Sequence, residues 1–103
     1  MPTVSGFIKT TSGTKFTAVF VIDGLSYNFP GNFNPSIQSF EAANVTLTYG
    51  STNDLTSTRE FSGQVGPSNI KVTLANGTII EGPLNMPISP ASTISGSGVW
   101  TQN

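Results

Sequence analysis

Residues Lys15 to Phe29, KFTAVFVIDGLSYNF, restrict the fold of this chain more than any other stretch. Asp23-Gly24 stands between two runs of β-branched and aromatic residues, and an Asp-Gly pair tolerates the positive φ angles of a two-residue type I′ turn. The stretch reads as a β-hairpin, and the turn sets its register. Ile22 faces Leu25, Phe20 faces Tyr27 and Ala18 faces Phe29 on one side of the ribbon, while Val21 meets Ser26 and Val19 meets Asn28 on the other. The first side, with the larger apolar residues, is the core side.

Upstream, Thr3 to Thr10 alternates Val4, Gly6 and Ile8 against Ser5, Phe7 and Lys9, the period of a strand. Thr11-Ser12-Gly13 fits a three-residue hairpin loop. That loop pairs Ile8 with Phe16 and Val4 with Phe20, and it sets Lys9 opposite Lys15 at a mild like-charge cost. The outer side of the resulting meander keeps Phe7, Val19 and Val21, which are too apolar for a fully solvated surface. Either the rest of the chain covers them or they form an interface with a subunit or ligand.

Residues 30–36, PGNFNPS, read as a turn-rich connection in which Pro30, Gly31 and Pro35 block regular pairing. Strand character returns from Ser36 to Tyr49, with Val45, Leu47 and Tyr49 alternating against Thr46 and Thr48 after a bend near Ala42 to Asn44. Gly50 to Thr56 is a polar loop, and Thr58 to Val65 is a strand with Arg59, Phe61, Gly63 and Val65 on one face, ended by Gly66-Pro67. Ile70, Val72 and Leu74 lead into Asn76-Gly77, a second type I′ signal. A two-residue turn there pairs Leu74 with Ile79 but points Ile80 outward and Glu81 inward, so the return strand is very short or a bulge shifts its phase. Pro83, Pro87 and Pro90 exclude a central strand over 83–91, and Ser92 to Thr101, with Ile94, Val99 and Trp100, closes the chain. Val4-Ser-Gly, Phe61-Ser-Gly and Ile94-Ser-Gly echo one another, and glycine at inward strand positions favours a strongly curved sheet. The expected fold is all-β: a single domain over 1–103, of about eight short antiparallel strands in a small β-sandwich or a partly closed β-barrel.

Composition narrows the function more than it names it. A chain of 103 residues buries roughly 60–70% of its unfolded surface without a metal or disulfide. Only 9% of the residues are charged, against about 25% in an ordinary domain, so Ser, Thr, Asn and Gly must cover the surface. With 4 basic and 5 acidic residues, no patch can neutralise a phosphate backbone, and nucleic acid is not expected as a partner. The net charge of -1 gives little colloidal repulsion and leaves homo-oligomers open. No stretch approaches the ~18 apolar residues of a transmembrane segment. No secretory leader is recognisable in the chain as given, so it reads as soluble, with secreted and cytoplasmic compartments both open.

Catalytic apparatus is scarce. There are 0 His and 0 Cys, which removes the commonest general base, the commonest metal ligands and the Ser-His and Cys-His nucleophiles. Ser12-Gly13-Thr14-Lys15 matches S-x-x-K, but it straddles a turn instead of opening a helix, and its partner motifs do not occur. Asp23 is explained by its turn, Asp54 by loop capping, and a Glu41–Glu81 carboxylate pair has nothing to favour it. Asn53 and Asp54 lack the spaced acids of a calcium loop. Asn44-Val45-Thr46 and Asn76-Gly77-Thr78 are glycosylation sequons that strand and turn chemistry explains equally well. No enzyme activity, cofactor or metal is expected.

What remains is a surface of hydroxyls, amides and a few rings. Ligands rich in hydroxyl groups are held by amide and hydroxyl hydrogen bonds beside an aromatic plane, and Tyr27, Asn28, Asn32, Phe33 and Asn34 offer both in one hairpin exit and loop. The expectation is a non-catalytic recognition module for a glycan or similar hydroxylated surface. The alternatives use the Phe7, Val19, Val21 side: a structural or self-assembling subunit, or a small membrane-acting β-rich toxin. Trp100 is read as a core lid.

Overall fold

In a computed structural model that describes residues 2–102, the hairpin forms in the register that its turn dictates. Asp23 and Gly24 both have positive φ, 52° and 80°. All five cross-strand pairs named above, from Ile22–Leu25 to Ala18–Phe29, are present. The strands are β1 (Thr3–Ser12), β2 (Lys15–Ile22), β3 (Leu25–Asn34), β4 (Glu41–Thr48), β5 (Thr58–Val65), β6 (Asn69–Leu74), β7 (Ile79–Pro83), β8 (Ser92–Val99) and β9 (Thr101–Gln102).

Non-local pairing closes these strands into a barrel. Around its wall the order is β3-β2-β1-β4-β7-β6-β5-β8 and back to β3, with β9 added along the first part of β3. Every pairing is antiparallel. The chain lays down three strands by hairpins, returns to place β4 beside β1, and then repeats the operation so that β8 lies beside β5. Each half is a Greek key. The echo between Val4-Ser-Gly and Phe61-Ser-Gly acquires a place in this scheme, because the two triplets occupy equivalent positions. Gly6 sits between Phe20 and Val45, and Gly63 sits between Val72 and Ile94.

An eight-stranded barrel has an interior just wide enough for side chains to fill, and here aromatic rings fill it. Phe33 stacks on Phe16 at 5.9 Å, Phe61 meets Phe16 edge-on at 5.2 Å, and Phe29 lies 6.1 Å from Phe61 and 4.8 Å from Trp100. The spine ends at Phe20, 6.5 Å beyond Trp100. Trp100 is 5% exposed and packs within the spine, between Phe29 and Phe20. Aliphatic residues such as Ile8, Val45, Leu47, Ile70, Val72 and Ile94 complete the lining. Connections cover the two mouths. The β4–β5 link buries Leu55, and the link from β7 to β8 buries Leu84 and Ile88, whose N–H groups donate to the carbonyls of Ser68 and Pro67 at 2.9 Å.

Four details depart from the sequence reading, each for a steric or burial reason. The β1–β2 register is displaced by two residues: Ile8 faces Ala18, Gly6 faces Phe20, and Lys9 faces Thr17, not Lys15. The turn has moved to Gly13-Thr14, with an irregularity between Thr10 and Ser12. The Phe20 ring lies against Gly6 where a Cβ would stand, so Val4 cannot take that place. A two-residue displacement preserves the face, and Ile8, Phe16 and Phe20 stay inside.

The second departure is at the Asn76-Gly77 turn. Thr73 pairs with Ile79 and Val72 with Ile80, one residue off the two-residue hairpin, and the Leu74 N–H donates to the Thr78 carbonyl at 2.8 Å. Burying Ile80 is worth about 1.5–3 kcal/mol and leaves Glu81 in solvent, which outweighs the preference of Asn-Gly for the tighter turn. Third, Leu25 lies on the core side of its ribbon yet is 44% exposed, because it stands beyond Tyr27, where the pairing of β3 with β9 ends.

Last, residues 30–34 are not a loop. β3 continues through Pro30 and Gly31 to Asn34. Proline has no N–H to give, and the ladder on that side of β3 lapses opposite Pro30, between Gly31–Gly98 and Asn28–Thr101; the lapse separates β8 from β9. The bend near Ala42 to Asn44 is present: Gly6 faces Val45 and Ile8 faces Ala42, so Ala43 and Asn44 together oppose Phe7. Phe29, at the middle of the spine, gives the fold a direct test. Phe29→Ala should lower the unfolding free energy by about 3–5 kcal/mol in urea titrations followed by Trp100 fluorescence.

Candidate functional site

Strand alternation decides where the expected binding residues go. On β3 the odd-numbered residues Tyr27, Phe29, Gly31 and Phe33 are buried, and Asn32 and Asn34 are exposed with Asn28 half-buried. Phe33 is 2% exposed. The rings and amides that a loop would have presented together therefore lie on opposite sides of one strand. Asn28, Asn32 and Asn34 share the outer surface, while Tyr27 and Phe33 pack the interior.

The outer surface to which these asparagines belong is a belt of small polar side chains. Cross-strand register lines up Asn34, Ser95, Ser62 and Thr73 across β3, β8, β5 and β6. A second row brings together Thr93, Gln64 and Lys71, and a third Lys15, Asn32, Ser97 and Glu60. Adjacent strands stand about 4.8 Å apart and successive outward residues about 6.6 Å, so the belt is a regular grid of donors and acceptors.

Two clefts cut into it, beside a more open hollow of about 400 Å³ edged by Glu60, Ser62 and Thr73. One, of about 310 Å³, lies over Gly31 and Gly98 and is edged by Lys15, Thr17, Pro30, Asn32 and Ser97. These two glycines face each other in the ladder. A Cβ on Gly31 would come within 2.7 Å of the Phe16 ring and one on Gly98 within 2.8 Å of the Phe29 ring. The wall thus dips where the spine rises to meet it. The other cleft, of about 470 Å³, is edged by Ser62, Gln64, Asn69, Lys71, Thr73 and Thr93.

The opposite wall has different chemistry on an equivalent frame. Phe7 pairs with Val19 where the second half pairs Gln64 with Lys71. Phe7 is 37% and Val21 58% exposed, and Val19 is half-buried. The three residues assigned to an interface are therefore neighbours on the β1–β2 wall, across the barrel from the β5–β6 cleft and next to the other cleft, whose Lys15 and Thr17 lie on the same strand as Val19 and Val21.

The other polar residues singled out in the sequence are engaged in turns or spread apart. The Asp54 carboxylate accepts the N–H groups of Gly50 and Ser51 at 3.2 and 3.3 Å. The Asn76 side chain donates to the Asp54 carbonyl and accepts the Thr78 N–H. The Ser12 hydroxyl accepts the Thr14 N–H at 3.4 Å, a bond within the turn. Glu81 lies beside Thr46, about 16 Å of strand from Glu41 at 3.3 Å per residue, well beyond a glycosidase carboxylate pair. Glu41 instead faces Lys9, on the rim of a third cleft of about 520 Å³. Among the described residues no group of three acidic side chains could hold a metal ion, and no helix is long and apolar enough to cross a membrane.

Scanned against models of protein families the chain matches none, and no curated protein or solved structure matches it significantly. The belt is thus read from its own chemistry. Ser62, Gln64, Lys71, Thr73, Ser95 and Ser97 were legible as the outward members of alternating strands, but their meeting on one surface follows only from the Greek-key closure. The two faces of β3 predict different outcomes for adjacent substitutions. Phe33→Ala should cost about 3–5 kcal/mol of stability and Asn32→Ala less than about 0.5 kcal/mol, both read by urea denaturation.

Proposed function

We propose that this protein is a non-catalytic recognition module whose polar belt binds a glycan or a similarly hydroxylated surface. The observation that supports it best is the continuous register of Asn34, Ser95, Ser62 and Thr73 across four adjacent strands, flanked by two clefts of the same character. Hydroxyls and amides match the alternating donors and acceptors of a sugar, and their short side chains lose little rotamer freedom on binding. The aromatic spine fills the barrel, so a ligand of this kind must bind outside it.

Each such hydrogen bond replaces one to water and nets about 0.5–1.5 kcal/mol. The one ring lining either cleft, Phe16, is 1% exposed, so affinity has to come from many weak contacts, which suits a polymer better than a single sugar. On a glycan array the folded protein should give reproducible signals that the Asn32→Ala, Ser97→Ala double variant reduces at least about tenfold, a loss of roughly 1.4 kcal/mol. Signals unchanged in that variant, or an empty array from folded protein, would contradict the reading.

The exposure of Phe7 and Val21 supports a second reading, in which the opposite wall joins copies of the chain into a structural assembly. Light-scattering mass measurements should then show Val21→Lys to be smaller than the unaltered protein. Equal monomer masses would remove the assembly role, and co-sedimentation of the unaltered protein with liposomes would assign the wall to lipid.

A further inference from the structure

We infer that the ligand of the polar belt is an acidic polysaccharide, whose anionic groups are met by Lys15 in one cleft and Lys71 in the other. This rests on the recognition reading and names its substrate class. The chain has 4 basic and 5 acidic residues. Each of the two belt clefts is edged by one lysine, and no carboxylate edges either of them. Glu41 is set against Lys9 on the third cleft, and Asp54 is tied into its loop. Glu81 faces Lys71 from β7, as Glu41 faces Lys9, but lies outside the cleft lining, whereas Lys15 faces Asn32. In so sparsely charged a surface, the placement gives each belt cleft one positive edge, over Gly31 and Gly98 in the first and among Ser62, Gln64, Asn69, Thr73 and Thr93 in the second, while Glu60 edges the open hollow beside them. An ammonium beside hydroxyls and amides is suited to a carboxylate or sulfate on a sugar ring.

The distance between the two lysines specifies a polymer. From β2 through β3, β8 and β5 to β6 there are four strand-to-strand steps, half the circuit of the eight-stranded barrel and about 19 Å around the wall, and the Lys71 row stands a further distance of about 13 Å along the strands from the Lys15 row. One sugar cannot reach both clefts, whereas an extended chain carrying acid groups at intervals can. The wall between them is convex, so the partner is a flexible strand and not a flat crystalline face. The path crosses the Ser95–Ser62 row, which keeps the polymer about 6.6 Å along β5 from Glu60, the acidic residue beside Ser97.

The test compares matched ligands: polygalacturonate, alginate and hyaluronan, each beside its methyl ester, with immobilised polysaccharide and purified protein. The acid forms should bind about five- to tenfold more tightly than their esters. Raising salt from about 50 to about 200 mM should weaken acid-form binding about fivefold and leave ester binding unchanged. Lys15→Gln with Lys71→Gln should bring acid and ester forms to the same affinity, and Lys15→Arg with Lys71→Arg should retain the difference. Lys9→Gln, which removes the same charge outside the belt, should leave the preference intact. Esters binding as well as the acids would overturn the inference while the recognition reading stands, and loss of the preference in Lys9→Gln would reduce it to net charge. Binding of neither form, nor of any array glycan, would remove both.

Discussion

The contact between Phe29 and Trp100, at 4.8 Å between ring centres, is the middle of the packing on which the barrel depends. Phe29 also touches Phe16 and Phe61, so one ring ties residues from β2, β3, β5 and the β8–β9 junction together. Each aromatic pair adds about 0.5–1.5 kcal/mol beyond its buried area, and the set spans the seam between the two Greek keys. Closing the seam brings β3 against β8, which makes the wall that carries the clefts. The glycines at that seam serve the rings inside first, and the dip they leave outside is a consequence. Stability and the candidate site thus share a cause: the spine fills the interior, so the clefts lie on the outer surface.

The two halves of the barrel are built on matching ladders and differ in what they present outward. Phe7, Val19 and Val21 on the first half correspond to Gln64, Lys71 and Thr73 on the second. Inward residues at the same positions stay apolar in both, with Phe20 answering Val72 and Val45 answering Ile94. Packing holds the inner face to one chemistry, whereas outward substitutions cost little and can be turned to separate uses. The outside of the β1–β2 wall is thus apolar, and that of the β5–β6 wall across the barrel is rich in hydroxyls and amides.

Local signals carried the sequence analysis a long way and failed where distant strands decide. Asp23-Gly24 and the alternation around it give five correct pairs, because the turn and both faces of the hairpin agree. Alternation also placed Val45, Leu47, Ile70, Val72 and Leu74 inside. The Asn76-Gly77 turn misled because the tight-turn preference competes with the burial of Ile80, and the sequence warned of that conflict through Glu81. Pro30 and Gly31 hid the end of β3: both are strand breakers by composition, yet continuing the odd-numbered phase from Tyr27 and Phe29 leads directly to Phe33 inside. The return of β4 to β1 and of β8 to β5 has no local signature, and with it went the belt, whose rows are assembled from four separate segments.

Amide chemical-shift mapping with the glycan oligomer that gives the strongest array signal tests the central claim most directly. The account predicts shifts on the outward residues of β3, β5, β6 and β8 and on Lys15 and Thr17 of β2, with the side-chain amides of Asn32, Asn34 and Gln64 among the largest. Phe7 and Val21 should stay still, as should the Trp100 indole in the spine. Shifts centred on Phe7 and Val21, on the indole, or nowhere in the protein would contradict it.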